Sequence, residues 1–420
     1  MKRIMKELRP FKVPLIMVLI FGVLYIIINF VLPGFVNFQA NKTPIVSITA
    51  DNEYVYKQGD KIKESDFKVR AEHESGKTSV LENDAYEITP KVPDQYGPYT
   101  RVTISLKENP DIKTILRVKN DRTAIASFEC GKPEKKSVKA VVYSNGELAF
   151  EGSGDVLEYN EDEFPWKESD YEIKSVTFDK EITPISMDYW FSDISTLEFI
   201  GELPVSVESA IGMCENCSSL KKAPTWIRCK NLLDVTDMYK NCSALTEIPA
   251  LTKTVRTATG MCENCISLQD APDLSNAMNL QKADRMYKGC KALTTATTMP
   301  PSVKIIDEMY SDCINLKSMP DLPNSVESLE DCFLNNKSLQ EVKNIPANAK
   351  NVSSCFAGCS KIKGQLQIDA TPENYSAFLQ GACNATTLNL TGNSSILNEL
   401  ALTNETGNIT VNGYAPVVTE

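Results

Sequence analysis

The hydrophobic pattern divides the chain into one uninterrupted apolar run, a region of short alternating segments and a long array of repeats. The apolar run extends from Val13 to Leu32 and contains no charged side chain. As a helix it would span ~30 Å, the thickness of the hydrocarbon core of a bilayer. It predicts a transmembrane helix. A cleaved signal peptide is the alternative, although its apolar core has only about 7–15 residues.

Basic residues precede this run and predict its orientation. The first twelve residues hold five Lys or Arg side chains and one Glu, which leaves 39 basic and 54 acidic residues, a net charge of −15, in the rest of the chain. The positive-inside rule then predicts a cytoplasmic tail at 1–12. It also predicts a cell-membrane protein whose chain lies outside the cell from the linker at 33–42 onwards.

Residues 43–120 contain short runs of β-branched and aromatic residues separated by Gly, Pro, Asp and Asn. Six or seven strands at this spacing predict a β-sandwich. The stretch YKQGDKIKESDFKVRAEHESGKTSVL at 56–81 resembles the bacterial Ig-like domains of surface proteins. That resemblance implies an Ig-like domain over 43–120, acting as a spacer.

Residues 121–185 predict further strands. Val138–Tyr143 and Glu147–Glu151 flank Asn145-Gly146, and Asn-Gly is the strongest short signal for a hairpin. Because the first turn of a solenoid has no neighbour on one side, it needs a cap over its apolar edge. We expect Trp166 to pack in the core of such a cap.

A repeated unit, M-[CY]-x-x-C-x-x-L, dominates the rest of the chain. Its first residue, the anchor position, falls at 213, 238, 261, 286, 309, 332 and 355, with spacings of 23 or 25. Degenerate copies start at Trp190 and Phe378. The period is that of leucine-rich repeats. It predicts about nine solenoid turns over residues 186–383, followed by a C-terminal cap at 384–420.

The repeat, together with the segments NGELAFEGSGDV and LKSMPDLPNSVESLEDCF, is similar to the BspA-like leucine-rich-repeat surface proteins of bacteria. The resemblance covers about residues 135–420. It implies a mainly β chain in which a β cap at 121–185 precedes the solenoid, and a role in adhesion or recognition. Since the chain shows no wall-sorting motif, attachment is expected to depend on the N-terminal helix.

Cysteines occupy one repeat position, four residues after the anchor, and predict a column of buried thiols. Cys214 and Cys262 add two C-x-x-C pairs, which suggest zinc half-sites or redox pairs. Their position holds Tyr or Phe in neighbouring turns, and a zinc ligand would not tolerate that exchange. Packing is therefore the favoured interpretation, with disulfides and metal as alternatives. The column is Cys217, Cys242, Cys265, Cys290, Cys313 and Cys359.

Each repeat leucine predicts a short strand that ends at a proline, opposite a short helical turn formed by the M-[CY]-x-x-C segment. Outward positions of these strands are the candidate contacts for a partner. They are mixed in charge and lack aromatic residues, so they indicate no ligand class. The candidates are Lys222, Glu247, Asp270, Thr295, Ser318 and Glu341.

Charge and composition exclude several functions. The acidic charge of the chain argues against nucleic acid as a partner, because proteins bind nucleic acid mainly through cationic contacts to phosphate. The single histidine, His73, is predicted on the surface, which removes the commonest general base, and neither a cofactor nor a small-molecule substrate is expected. The prediction is a membrane-anchored, non-enzymatic surface protein that binds a protein or a glycan. A structural envelope spacer or assembly component without an external ligand is the alternative.

Overall fold

The computed structural model describes residues 43–57, 60–93, 99–167 and 171–417. The predicted transmembrane segment Val13–Leu32, with the tail and linker beside it, lies outside the described residues. Within the ranges given, none of the helices has both the length and the apolar character that a membrane crossing requires. The chain divides into two compact units at the peptide bond between Arg122 and Thr123.

The first unit is a pair of β-sheets. One sheet has the order β1-β3-β4 and the other the order β2-β7-β6-β5. Alternate residues such as Val69, Ala71, Ile88, Val102 and Ile104 are buried and form one core. Seven strands are observed, where the sequence predicted six or seven. The strands are β1 Ile45–Asp51, β2 Val55–Tyr56, β3 Lys68–His73, β4 Thr78–Val80, β5 Tyr86–Thr89, β6 Tyr99–Leu106 and β7 Lys113–Asn120.

The prediction of a surface position for His73 was wrong. The side chain is 4% exposed at the end of β3. Its Nδ1 lies 2.9 Å from the carbonyl oxygen of Thr43, and its Nε2 lies 2.7 Å from Oγ of Ser79. Both ring nitrogens are therefore occupied, as a buried polar group requires, and this histidine has a structural role.

The second unit begins with a five-stranded sheet of order β14-β13-β11-β10-β8 and a two-stranded sheet of β12 and β9. Trp166 is buried as predicted, and its Nε1 donates a hydrogen bond of 2.8 Å to the carbonyl oxygen of Trp190 in the first turn. The cap and the repeats thus share one core. The strands are β8 Ala124–Glu129, β9 Gly131–Lys132, β10 Val138–Tyr143, β11 Glu147–Gly152, β12 Asp155–Val156, β13 Ser175–Phe178 and β14 Phe199–Ile200.

The M-[CY]-x-x-C segments are tight turns, and the predicted helical turn was wrong. Residues with positive φ stand one before and three after each anchor, for example Asp237 at 51° and Asn241 at 62°. The backbone N–H of Lys240 donates to the carbonyl oxygen of Asp237 at 3.1 Å, a bond across three residues. A left-handed residue interrupts a right-handed helix, so no helix can propagate between two of them.

Two ladders of isolated parallel bridges join the turns. The short ladder, which includes the predicted strand positions, pairs Lys222 with Glu247, Asp270 with Thr295, and Ser318 with Glu341. A second ladder, four residues before each anchor, is continuous and was missed by the sequence analysis. This long ladder runs through Ser186, Ser209, Asp234, Thr257, Lys282, Ile305, Ser328, Asn351 and Asn374.

The solenoid ends in regular strands. In the part of the chain that the structure describes, a parallel sheet contains β15 Gly364–Gln367, β16 Leu388–Thr391 and β17 Ile409–Val411. Helix α1, Leu397–Leu402, buries Leu397, Leu400 and Ala401 next to it. This apolar side packs into the same core as the turns.

Candidate functional site

The short ladder presents mostly exposed polar side chains. Lys222 and Glu247 form an ion pair of 2.6 Å, with 66% and 62% of their side chains exposed. Lys221 and Glu198 form another, of 3.2 Å, beside it. Exposed pairs of this kind contribute little to stability, about 0–1 kcal/mol. Their opposite charges also neutralise each other, so this surface has no strong electrostatic preference.

The predicted cysteine column is a column of hydrogen bonds between turns. All thirteen cysteines are buried free thiols. Each column thiol contacts a backbone carbonyl oxygen of the preceding turn, as Cys265 Sγ does with Tyr239 at 3.1 Å and Cys313 Sγ with Tyr287 at 3.0 Å. In one turn Asn336 replaces cysteine, and its Nδ2 donates to Tyr310 at 2.9 Å. The same oxygens accept a backbone N–H within their own turn, as Tyr239 does from Cys242 at 3.0 Å, so the column adds a second hydrogen bond that links adjacent turns.

Burial raises the pKa of Cys265 and Cys290, and it raises that of Cys359 to about 12. The thiolate is the form that attacks disulfides and binds metals, so these three thiols are unreactive at neutral pH. No group of three or more His, Cys, Asp or Glu side chains placed to hold a metal ion occurs among the described residues.

An aromatic column runs beside the thiols, one residue after the anchor. Tyr310, Phe333 and Phe356 stack with centroid distances of 5.7 and 5.5 Å and interplanar angles of 8° and 6°. Cys214 and Cys262 occupy the same position in other turns and are completely buried. These two cysteines therefore lie in an apolar packing position, as the exchange with tyrosine indicated.

A charged groove lies beside the long ladder. It has a volume of about 640 Å³ and takes residues from four consecutive turns. Five of its side chains are acidic and two are basic, so it attracts cations. The lining is Thr259, Lys282, Asp284, Arg285, Ile305, Asp307, Glu308, Glu330 and Asp331.

Hydrogen bonds hold the acidic side chains of this groove in place. Asp307 Oδ1 accepts from Oγ of Ser328 at 2.5 Å and from the backbone N–H of Glu330 at 2.9 Å. Asp284 Oδ1 accepts from Oγ1 of Thr259 at 2.8 Å. Burial, with the charge of Glu330, raises the pKa of both Asp307 and Asp331. The groove is thus a rigid acidic surface built from side chains that are distant in sequence.

Two unpartnered carboxyl oxygens meet near one end of the groove. Asp237 Oδ1 and Glu263 Oε2 are buried without a hydrogen-bond donor. Both lie over Gly260, where a Cβ would overlap Asp237 Oδ1, so that glycine makes room for the carboxylate. Burial raises the pKa of Asp237 above 3.8, and the charge of Glu215 adds to this, while Lys240 opposes it.

Asp237→Asn is expected to stabilise the protein at pH 7 by about 1 kcal/mol, because it removes a buried charge whose Oδ1 has no hydrogen-bond donor. The raised pKa means that folded Asp237 binds more protons than unfolded Asp237 above pH 3.8, so stability falls as pH rises through the folded pKa. The variant should lose this part of the pH dependence. Urea unfolding at pH 4 to 7 measures the pH dependence of the free energy of unfolding. The control is Asp270→Asn, at an exposed position. Equal pH profiles of Asp237→Asn and the wild type would contradict the prediction.

Solved structures resembling this chain are leucine-rich-repeat proteins of bacteria. One, from Eubacterium ventriosum, is 15% identical, and the match covers 61% of this chain and 95% of that protein, with a TM-score of 0.25. A second, from Bacteroides ovatus, is 13% identical, and the match covers 67% of this chain and 81% of that protein, with a TM-score of 0.30. A leucine-rich cell surface protein from Faecalibacterium prausnitzii is 14% identical, and the match covers 68% of this chain and 97% of that protein, with a TM-score of 0.25.

A match to a family model agrees with the repeat period and the stacked turns. No protein with a curated description matches the chain. The family model for the BspA type leucine-rich repeat region matches six copies over residues 167–294 and 281–408. Together these ranges cover more than half of the 420 residues. The chain therefore belongs to the BspA type leucine-rich repeat family.

Proposed function

We propose that this protein is a surface receptor that recognises another protein through the long-ladder side of its solenoid. The observation that carries the proposal is the groove at Thr259–Asp331, where five acidic and two basic side chains come from three successive turns. Interfaces use complementary charge to select partners and to speed their association. The partner would accordingly present lysine and arginine side chains.

The rigidity of the groove supports this role. Asp307 is held by Ser328 and by a backbone N–H, and Lys288 forms an ion pair with Glu308 at the margin. Side chains fixed before binding lose less conformational entropy in the complex. A solenoid also offers an extended surface, since each turn adds one row of residues. These features suit a protein partner better than a small molecule.

Anchoring and display complete the proposal. We propose that Val13–Leu32 anchors the chain in the cell membrane, that an Ig-like domain at 43–120 is a spacer, and that the repeats face outward. The five basic residues before the apolar run and the acidic chain after it support that orientation. Both ring nitrogens of His73 are occupied by hydrogen bonds, which supports the proposal of a binding role rather than a catalytic one.

Charge reversal distinguishes the groove from the short ladder. The full-length protein, in detergent, is tested for saturable binding to immobilised host matrix proteins, host cells and bacterial cells at 50 and 300 mM NaCl. The groove variant carries Asp284→Lys and Glu330→Lys, and the matched control carries Asp270→Lys and Glu341→Lys. We expect salt-sensitive binding that the groove variant weakens by about tenfold or more and the control retains.

Two outcomes would contradict the proposal. Saturable binding that only the control pair abolishes would transfer recognition to the short ladder. Absence of saturable binding to every surface, with co-purification of other envelope proteins, would favour a structural spacer or assembly component.

A further inference from the structure

A second cavity lies inside the second unit, where the β cap meets the first solenoid turn. Its volume is about 610 Å³. The cap contributes residues of β9 and β12 and the chain that follows, and the first turn contributes residues 185–190. It is separate from the acidic groove. The side chains used below are Lys132, Asp155, Glu158, Tyr159, Phe164, Asp188, Tyr189 and Trp190.

Aromatic rings form much of the lining. Phe164 and Trp190 are almost fully buried, whereas Tyr159 and Tyr189 are half-buried. Tyr159 packs on Phe164 with a centroid distance of 5.4 Å and on Trp166 at 5.7 Å. Because these neighbours belong to the core, the ring of Tyr159 is held in a fixed position with part of its surface left open.

Tyr189 has an unusual backbone conformation. Its φ is 58°, in the left-handed region that is costly for a bulky residue. A Cβ at Gly212 would overlap the Cε1 atom of Tyr189, so the ring lies directly on that glycine. In the next three turns the equivalent position is occupied by Gly212, Asp237 and Gly260, none of which has an aromatic ring. The tyrosine is thus a feature of the first turn alone, retained despite strain.

Carboxylates give the cavity a negative charge. Lys132 is paired with Glu158 at 2.8 Å and also interacts electrostatically with Asp155. The lining nevertheless holds three carboxylates and one ammonium group, a net charge of −2. Asp188 Oδ1 accepts from Oγ of Ser209 at 2.6 Å, and Asp155 Oδ1 accepts from a backbone N–H at 2.8 Å. The second oxygen, Oδ2, of each has no hydrogen-bond donor among the described residues. Burial and nearby acidic residues also raise the pKa of Tyr189.

We infer that this cavity binds a small organic cation through its ammonium group. Aromatic faces attract cations electrostatically, and rings combined with carboxylates are the usual means of binding quaternary ammonium groups. The two tyrosines supply the faces, while Asp155 and Asp188 supply the counter-charge. An anionic ligand would be repelled by the same carboxylates, and a neutral ligand would gain nothing from them. This site is independent of the proposed groove.

Choline and its uncharged carbon isostere, 3,3-dimethyl-1-butanol, test the inference because they share shape and differ in charge. Titration calorimetry of the full-length protein is expected to give saturable choline binding at least about tenfold tighter than that of the isostere. Ethanolamine, as the primary ammonium compound, distinguishes a quaternary from a primary ammonium site. Equal affinity for choline and the isostere, or no binding of either ammonium compound, would overturn the inference.

Variants locate the site. Tyr189→Leu and Tyr159→Leu are each expected to weaken choline binding by about tenfold, whereas Tyr375→Leu, at a half-buried tyrosine far along the solenoid, should leave it unchanged. Circular dichroism verifies that each variant is folded. Retained affinity in both folded cavity variants would overturn the assignment, and the comparison of choline with its isostere tests the wild type even if a variant does not fold.

Discussion

Replacing Phe333 with alanine is expected to destabilise the solenoid by about 3–5 kcal/mol, as is usual when a buried phenylalanine is truncated. The ring has no exposed surface and stacks between Tyr310 and Phe356, at 5.7 and 5.5 Å. Its loss leaves a cavity that two neighbouring turns border, and the rigid turns cannot close it. Because a repeat protein is held together by contacts between adjacent turns, the array is expected to unfold first at this point.

Urea unfolding followed by circular dichroism measures the effect of Phe333→Ala. The control is Tyr414→Ala, since Tyr414 is 77% exposed and its truncation should change the free energy of unfolding by less than about 0.5 kcal/mol. A loss below about 1 kcal/mol for Phe333→Ala would mean that the aromatic column is not the packed interior described here.

Asn336→Ala is expected to cost about 0.5–1.5 kcal/mol, the usual net value of one hydrogen bond, whereas Asn336→Cys should be neutral or stabilising. Asn336 Nδ2 donates to the carbonyl oxygen of Tyr310, and alanine would leave that oxygen with only its bond of 3.2 Å from the backbone N–H of Cys313. A thiol restores the bond, as in the turns that carry cysteine. Cysteine also removes Asn336 Oδ1, which is buried without a partner.

The comparison of these two Asn336 variants measures what the thiol contributes. Cysteine differs from alanine by a sulfur atom that packs in the interior and can donate to the carbonyl oxygen of Tyr310, so equal stabilities in urea unfolding would contradict a stabilising role of the column. Cys313→Ala serves as the matched variant one turn earlier, because its thiol contacts the carbonyl oxygen of Tyr287 at 3.0 Å. We expect a loss similar to that of Asn336→Ala.

The interior of the solenoid could be predicted from the sequence because its side chains repeat. Leu245, Leu268 and Cys265 recur at fixed intervals, and a position that must be apolar in every turn retains its residue type. The left-handed position after the anchor could also be inferred, because Asn216, Asn241 and Asn264 occupy it and asparagine tolerates positive φ. Both features are encoded by residue type.

The long ladder could not be predicted in this way. Its bridges are made by the backbone, so Ser209, Lys282 and Ile305 fit equally well and leave no pattern in the sequence. The left-handed residues before the anchor include Arg285 and Glu308, which are residue types that disfavour positive φ. The acidic groove depends on both features and on four turns coming together, so it leaves no pattern in the sequence.

The central claim is that the cysteines are reduced, buried structural residues, so that the chemistry of this chain lies on its surface. A thiol count with an alkylating reagent, in native buffer and then in denaturant, tests it most directly. We expect little reaction of the native protein and thirteen reactive thiols after denaturation without reductant. Thiols that appear only after addition of a reductant or a chelator would contradict it.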